Sequence, residues 1–153
     1  MSGLSWGQFL KAFLAIMLTD QPKHFSDLKV AVLHYWFVSW RGGEKVVKAI
    51  LDLFPQADVY TLFYDPAVCG KYLDGHRVVT SKWNHRRLRK HYQKLFPIYP
   101  EIIQSIKMDD DYDLIISSES GPAKGIALST NSPKARHICY VHTPMRYCYG
   151  YRD

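Results

Sequence analysis

The chain has 153 residues, 47% of them apolar, which suffices for one compact domain of ordinary size and excludes several. A formal charge of +6 suits an anionic partner, whether nucleic acid, an acidic membrane surface or a phosphorylated substrate, without choosing among them. Three cysteines, an odd number without framework spacing, argue against a disulfide-stapled secreted scaffold and fit a reducing cytoplasm.

Residues 1–27 read as an amino-terminal extension. Within it, residues 6–18 form a helical pattern with Gln8, Lys11, Ala15 and Thr19 on one narrow face. Trp6, Phe9, Leu10, Phe13, Ile16 and Met17 fill the rest. The run is short of the roughly 20 apolar residues that cross a bilayer, and it lacks the basic start and cleavage site of a signal peptide. Two readings stay open: a helix packed on its own domain or a partner, and a helix lying in a membrane surface.

From residue 28 onward, strand-like and helix-like segments alternate. Lys29-Val-Ala-Val-Leu33 reads as a strand covered on both faces. After Arg41-Gly-Gly43, apolar residues Val46, Val47, Ile50, Leu51 and Phe54 fall at helical spacing from Glu44, and Pro55 closes the helix. Asp58-Val-Tyr-Thr-Leu62 is a second strand, Tyr64-Asp-Pro66 a turn, and Arg77-Val-Val-Thr80 a third strand. A basic stretch over residues 82–94 follows, then a helix over residues 101–108. Asp113-Leu-Ile-Ile-Ser117 and His137-Ile-Cys-Tyr-Val141 are the last two strands, with Gly121 and Gly125 between them. The alternation predicts an α/β fold with a mostly parallel sheet and helices on both faces. In such sheets ligands gather beyond the carboxyl ends of the strands, so residues 35–43, 117–125 and 142–147 are the loops to watch.

Those loops carry a resemblance. His34-Tyr-Trp-Phe-Val-Ser-Trp-Arg-Gly-Gly-Glu-Lys-Val46 is followed by Leu53-Phe-Pro-Gln-Ala-Asp-Val-Tyr-Thr-Leu-Phe-Tyr-Asp-Pro66. Then come Tyr112-Asp-Leu-Ile-Ile-Ser-Ser-Glu-Ser-Gly-Pro-Ala-Lys-Gly125 and His137-Ile-Cys-Tyr-Val-His-Thr-Pro-Met-Arg-Tyr147. In this order the four motifs resemble the amino-terminal domain of glycosyltransferase family four, especially bacterial mannosyl- and rhamnosyl-type transferases of surface polysaccharide synthesis. The resemblance covers roughly residues 28–152. It implies a GT-B enzyme of two Rossmann-like domains facing across a cleft. The amino-terminal one is acceptor-side, and the carboxyl-terminal one holds the nucleotide-sugar with paired glutamates. This sequence contains neither that pair nor a second domain, so residues 28–153 are expected to be a truncated acceptor-side half, inactive in isolation. The nucleotide-sugar would be a substrate, with no cofactor.

Retaining transfer must stabilise an oxocarbenium-like transition state and a departing diphosphate. Gly42 and Gly43, at the opening of a helix, would let the backbone approach that diphosphate; they could also be a plain strand-to-helix turn. By resemblance, His142 touches the transferred sugar near its reacting carbon; a histidine satisfied within a turn is the alternative. Arg146 could pair with a phosphate or stand on the surface. Glu44, Ser118, Glu119 and Lys124 are placed along the acceptor side of the cleft, with Glu119 not read as a catalytic base. Cys139 and His142 have a Cys-x-x-His spacing, but without a second ligand pair no metal site is read there.

Lys82, Trp83, Arg86, Arg87, Arg89, Lys90 and Lys94, with Leu88, Tyr92, Leu95 and Phe96 interleaved, are read as a surface for anionic lipid. That suits a cytoplasmic enzyme, peripheral on the inner membrane face, whose acceptor is a saccharide or lipid-linked sugar. A solvated face is the plain alternative. Nucleic acid is a further one, set aside because no recognised motif accompanies the cations. The main rival to the enzyme is a remnant domain that folds, binds a membrane or partner, and transfers nothing.

Overall fold

The computed structural model describes residues 25–108, 111–129 and 135–143. Five strands, β1 (Val30–Phe37), β2 (Asp58–Tyr64), β3 (Val78–Thr80), β4 (Leu114–Glu119) and β5 (Arg136–Val141), form one sheet in the order β3-β2-β1-β4-β5. Every neighbouring pair is parallel. The fold is α/β and Rossmann-like, as the alternation predicts. The chain runs outward from β1 to β3, then returns to the other side of β1, so the strand order reverses between β1 and β4. In open parallel sheets that is where ligands bind.

Both faces are covered, which is why the strands read as near-continuous apolar runs. On one face Val30, Val32, Val59, Leu114 and Ile116 pack against Val47, Ile50, Leu51 and Phe54 of helix α1 (Gly42–Leu53) and its cap. On the other, Ala31, Leu33, Tyr60, Leu62 and Ile115 meet Tyr99 and Ile102 of α4 (Tyr99–Gln104), with Ile106 and Ile126 beside them. Between these helices lie α2 (Pro66–Cys69) and α3 (Arg86–Arg89), each a single turn. Beneath the sheet core, at the opposite end from the strands' carboxyl termini, Tyr112 donates to Asp58 Oδ2 at 2.6 Å and shares a 2.9 Å bond with Tyr60. Burial, the largest cause, pushes the Tyr112 hydroxyl up from its ordinary pKa.

Several boundaries differ from the sequence reading. The first strand continues to Phe37, because the aromatic run finds ladder partners: Trp36 lies opposite Phe63 and Phe37 opposite Tyr64. Helix α1 begins at Gly42, so both glycines belong to its first turn. The expected turn at residues 64–66 caps α2, where the Asp65 side chain accepts from the Ala67 N–H. The helix expected over residues 101–108 is shorter and starts earlier, at Tyr99 with Pro100 in its first turn. Residues 6–18 lie outside the described residues. Among those described, no helix is long and apolar enough to cross a membrane.

Candidate functional site

An open cleft of about 670 Å³ lies at the carboxyl edge of the sheet, at the reversal between β1 and β4. β1 contributes His34, Tyr35 and Trp36, and the start of α1 contributes Arg41 through Glu44. Ser120 follows β4, while Tyr140 and Val141 end β5 and lead into His142 and Thr143. Tyr92 and Gln93 close the far wall. All three loops singled out from sequence reach it in their described residues, and the one after β4 also holds the floor from behind.

Ser118 is that support. It is fully buried at the end of β4. Its hydroxyl bonds His142 Nε2 at 2.9 Å, and its backbone carbonyl accepts from His34 Nδ1. One residue therefore holds two imidazoles, whose centroids stand 6.4 Å apart and nearly perpendicular. His142 also continues the β5 ladder, its N–H reaching the Glu119 carbonyl at 3.3 Å. Burial lowers its pKa, so the ring is neutral at pH 7. With Nε2 engaged by Ser118, Nδ1 has no hydrogen-bond partner among the described residues.

The two glycines differ. A Cβ at Gly42 would meet nothing within 4 Å, so the backbone there is open to a close approach. A Cβ at Gly43 would stand 3.3 Å from His34 Cε1 and 3.8 Å from His142 Nε2. Gly43 is thus required by the packed imidazoles as much as by any ligand. Glu44 does not confront the cleft as a free charge. It is buried, and its Oε2 accepts from the Arg41 N–H at 2.9 Å, closing the first turn of α1. Arg41 has no acceptor with which to return that bond. Part of the helix's positive end is therefore already answered by a carboxylate.

Glu119 and Lys124 sit elsewhere than expected. Glu119 is fully buried, and Gly121 N–H, Ala123 N–H and Lys124 Nζ all donate to it, at 2.7, 3.1 and 2.8 Å. This carboxylate organises the turn after β4, where a 3₁₀ segment (Pro122–Ser129) begins. The bond to Glu119 raises the Lys124 pKa. Neither side chain lines the cleft. Arg146 lies outside the described residues. Cys139 is exposed on β5, three residues from His142 in a strand, so the two side chains point to opposite sides.

Sequence reasoning missed His34 and the aromatic wall. His34 is 3% exposed, and burial drives its pKa to about 4. Its parity with Val30 and Val32, toward α1, together with the glycines beyond, was the signal available. Along the wall Tyr35 stacks on Trp36 with centroids 4.7 Å apart, and Trp36 meets Tyr92 at 4.6 Å. The Tyr35 hydroxyl accepts from the Ser120 N–H, fixing the first ring.

The basic stretch divides into two populations. Lys82, Arg86, Arg87, Lys90 and Lys94 are exposed, with Trp83 and Phe96 at 36% and 48%. Leu88, Tyr92 and Leu95 instead pack on the second core cluster. Arg89 is no free cation: its guanidinium donates to the Tyr64 carbonyl and stands 3.7 Å from Asp65.

No family model, no curated protein and no solved structure matches this chain.

Proposed function

We propose that this domain is the acceptor-side half of a retaining glycosyltransferase cleft, of the GT-B kind that the sequence motifs resemble. The nucleotide-sugar would be held by a second Rossmann-like domain facing it. The observation that carries the reading is the convergence of Gly43, His34 and His142 in one open cleft at the strand-order reversal. Gly42, with open space above its backbone, is where the departing diphosphate would approach the α1 N–H groups. His142, neutral and fixed through Nε2, offers Nδ1 to a hydroxyl of the transferred sugar. The flat rings of Tyr35, Trp36 and Tyr92 give the apolar face of a saccharide ring a surface to lie on. Transfer itself would need the donor-holding half, and the described residues supply the acceptor side of it.

The acceptor is lipid-linked, and the domain sits peripherally on an anionic cytoplasmic membrane face. Five exposed cations with two outward aromatics support this, each cation being worth about 1 kcal/mol near such a surface. The segment that bears them also supplies Tyr92 to the cleft wall, so docking brings the cleft to the lipid boundary.

Saturation-transfer NMR with methyl glycosides and with sugar nucleotides tests the cleft. Glycoside contacts that vanish in His142→Ala are expected; no saturation of any glycoside would overturn the reading. Co-sedimentation with vesicles of neutral and of phosphatidylserine-containing lipid, over a salt series, tests the surface. Tight binding to single-stranded RNA without vesicle affinity would replace the membrane with a nucleic acid.

A further inference from the structure

The floor of the cleft holds an imidazole whose bonding is half used. His34 is almost wholly buried, and among the described residues its ring makes its one hydrogen bond through Nδ1 to the Ser118 carbonyl. A carbonyl only accepts, so Nδ1 carries the proton and Nε2 presents a bare lone pair. That atom would stand 3.7 Å from a Cβ on Gly43, which places it at the first turn of α1. The twelve-residue helix thus has beside its amino end, in a residue that lines the cleft, an imidazole acceptor with no protein partner among the described residues.

We propose that Nε2 of His34 is the hydroxyl-reading acceptor of the cleft, taking a hydrogen bond from a neutral sugar hydroxyl and keeping a bare phosphate oxygen away from Gly43. This deepens the saccharide reading of the cleft and rests on it. A ligand hydroxyl can donate to the lone pair and still accept from the backbone N–H groups of α1. An unprotonated phosphate oxygen, as in a diester, has only lone pairs and would set acceptor against acceptor. Protonation of the ring would reverse the preference, but burial keeps His34 neutral down to about pH 4. The division of labour at α1 follows: the diphosphate is confined to the open Gly42 side, and the Gly43 side reads a hydroxyl.

The test uses the whole ¹⁵N-labelled chain at pH 7, observing the imidazole nitrogens through long-range proton–nitrogen correlations and the Gly43 amide. The probes are methyl glycosides of mannose, rhamnose, glucose and galactose, and separately dimethyl phosphate, a phosphodiester with no O–H to donate. At least one glycoside is expected to move the His34 Nε2 resonance together with the Gly43 amide, while dimethyl phosphate leaves Nε2 unmoved. His34→Asn places an amide N–H where Nδ1 stood, keeping the Ser118 bond while removing the second nitrogen. It should bind that glycoside about tenfold more weakly, read at the Gly43 amide, with its fold intact. If a glycoside shifts Gly43 but not Nε2, or dimethyl phosphate shifts Nε2 equally, the hydroxyl-reading role fails while the saccharide cleft stands. Undiminished affinity in His34→Asn has the same meaning. If no glycoside moves any cleft resonance, both readings fall. Should His34→Asn not fold, the wild-type resonances alone decide.

Discussion

Adjacent glycines at the start of a helix look equivalent in a sequence, and the structure says they are not. Alanine at either position gains about 0.5 kcal/mol by restricting the unfolded chain. At Gly42 the new methyl meets nothing within 4 Å, so Gly42→Ala should keep that gain. At Gly43 it would stand 3.3 Å from His34 Cε1, tighter than ordinary contact, so the ring must yield. That ring cannot move cheaply, being held by the Ser118 carbonyl and packed on Phe37 with centroids 4.9 Å apart. Forcing it off its rotamer costs about 0.5–1.5 kcal/mol, and stretching the Ser118 bond about 1 more. Gly43→Ala should therefore lose about 1–2 kcal/mol net, leaving the two variants about 2 kcal/mol apart. For a chain of this length that separates their Tm values by about 4–8 °C. Thermal unfolding followed by circular dichroism reads the difference directly. Two variants that stabilise equally would refute the rigid seating of His34.

Acidification should destabilise the fold through the same residue. The unfolded chain binds a proton on histidine below pH 6.5, whereas folded His34 resists until about pH 4, so its contribution is whole above 6.5 and drains away between those values. The loss is about 3 kcal/mol by pH 4, with the lowered His137 and His142 adding in the same direction; urea midpoints at pH 7 and 4.5 should show a smaller drop in His34→Asn. Arg86→Ala with Arg87→Ala should weaken binding to anionic vesicles about 30-fold at low salt, leaving Tm unchanged. Arg89→Ala should lower Tm instead, because its guanidinium serves the Tyr64 carbonyl. Tyr112→Phe should cost about 1–3 kcal/mol in chemical denaturation, by stripping Asp58 and Tyr60 of their shared hydroxyl; an unchanged midpoint would mean water replaces it without loss.

Strand parity made much of this fold legible. Val30 and Val32 against Ala31 and Leu33 already divide β1 between two covered faces, and the packing follows that division. Local pattern failed where tertiary pairing overrode it. Tyr35 to Phe37 read as loop because aromatics before a Gly-Gly break carry no period of their own, yet β2 supplies their ladder. The candidate site was legible as a set of loops but not as a set of bonds. Nothing in the order of residues says that Ser118 reaches both His34, 84 positions earlier, and His142, or that Glu119 turns inward to the amides after it. The basic stretch misled in the other direction. Its composition is uniform, while burial sends Leu88, Tyr92 and Leu95 inward and ties down Arg89.

Ser118 grips one ring with its main chain and the other with its side chain, and that has a cost for anyone dissecting the cleft one substitution at a time. Replacing the serine with alanine frees His142 but leaves the carbonyl on His34 intact, whereas a change at His34 that removes its Nδ1–H leaves that carbonyl without its partner. Losses measured singly at the three positions will not sum, and the shortfall in a triple cycle is itself the measure of how far two distant histidines behave as one part.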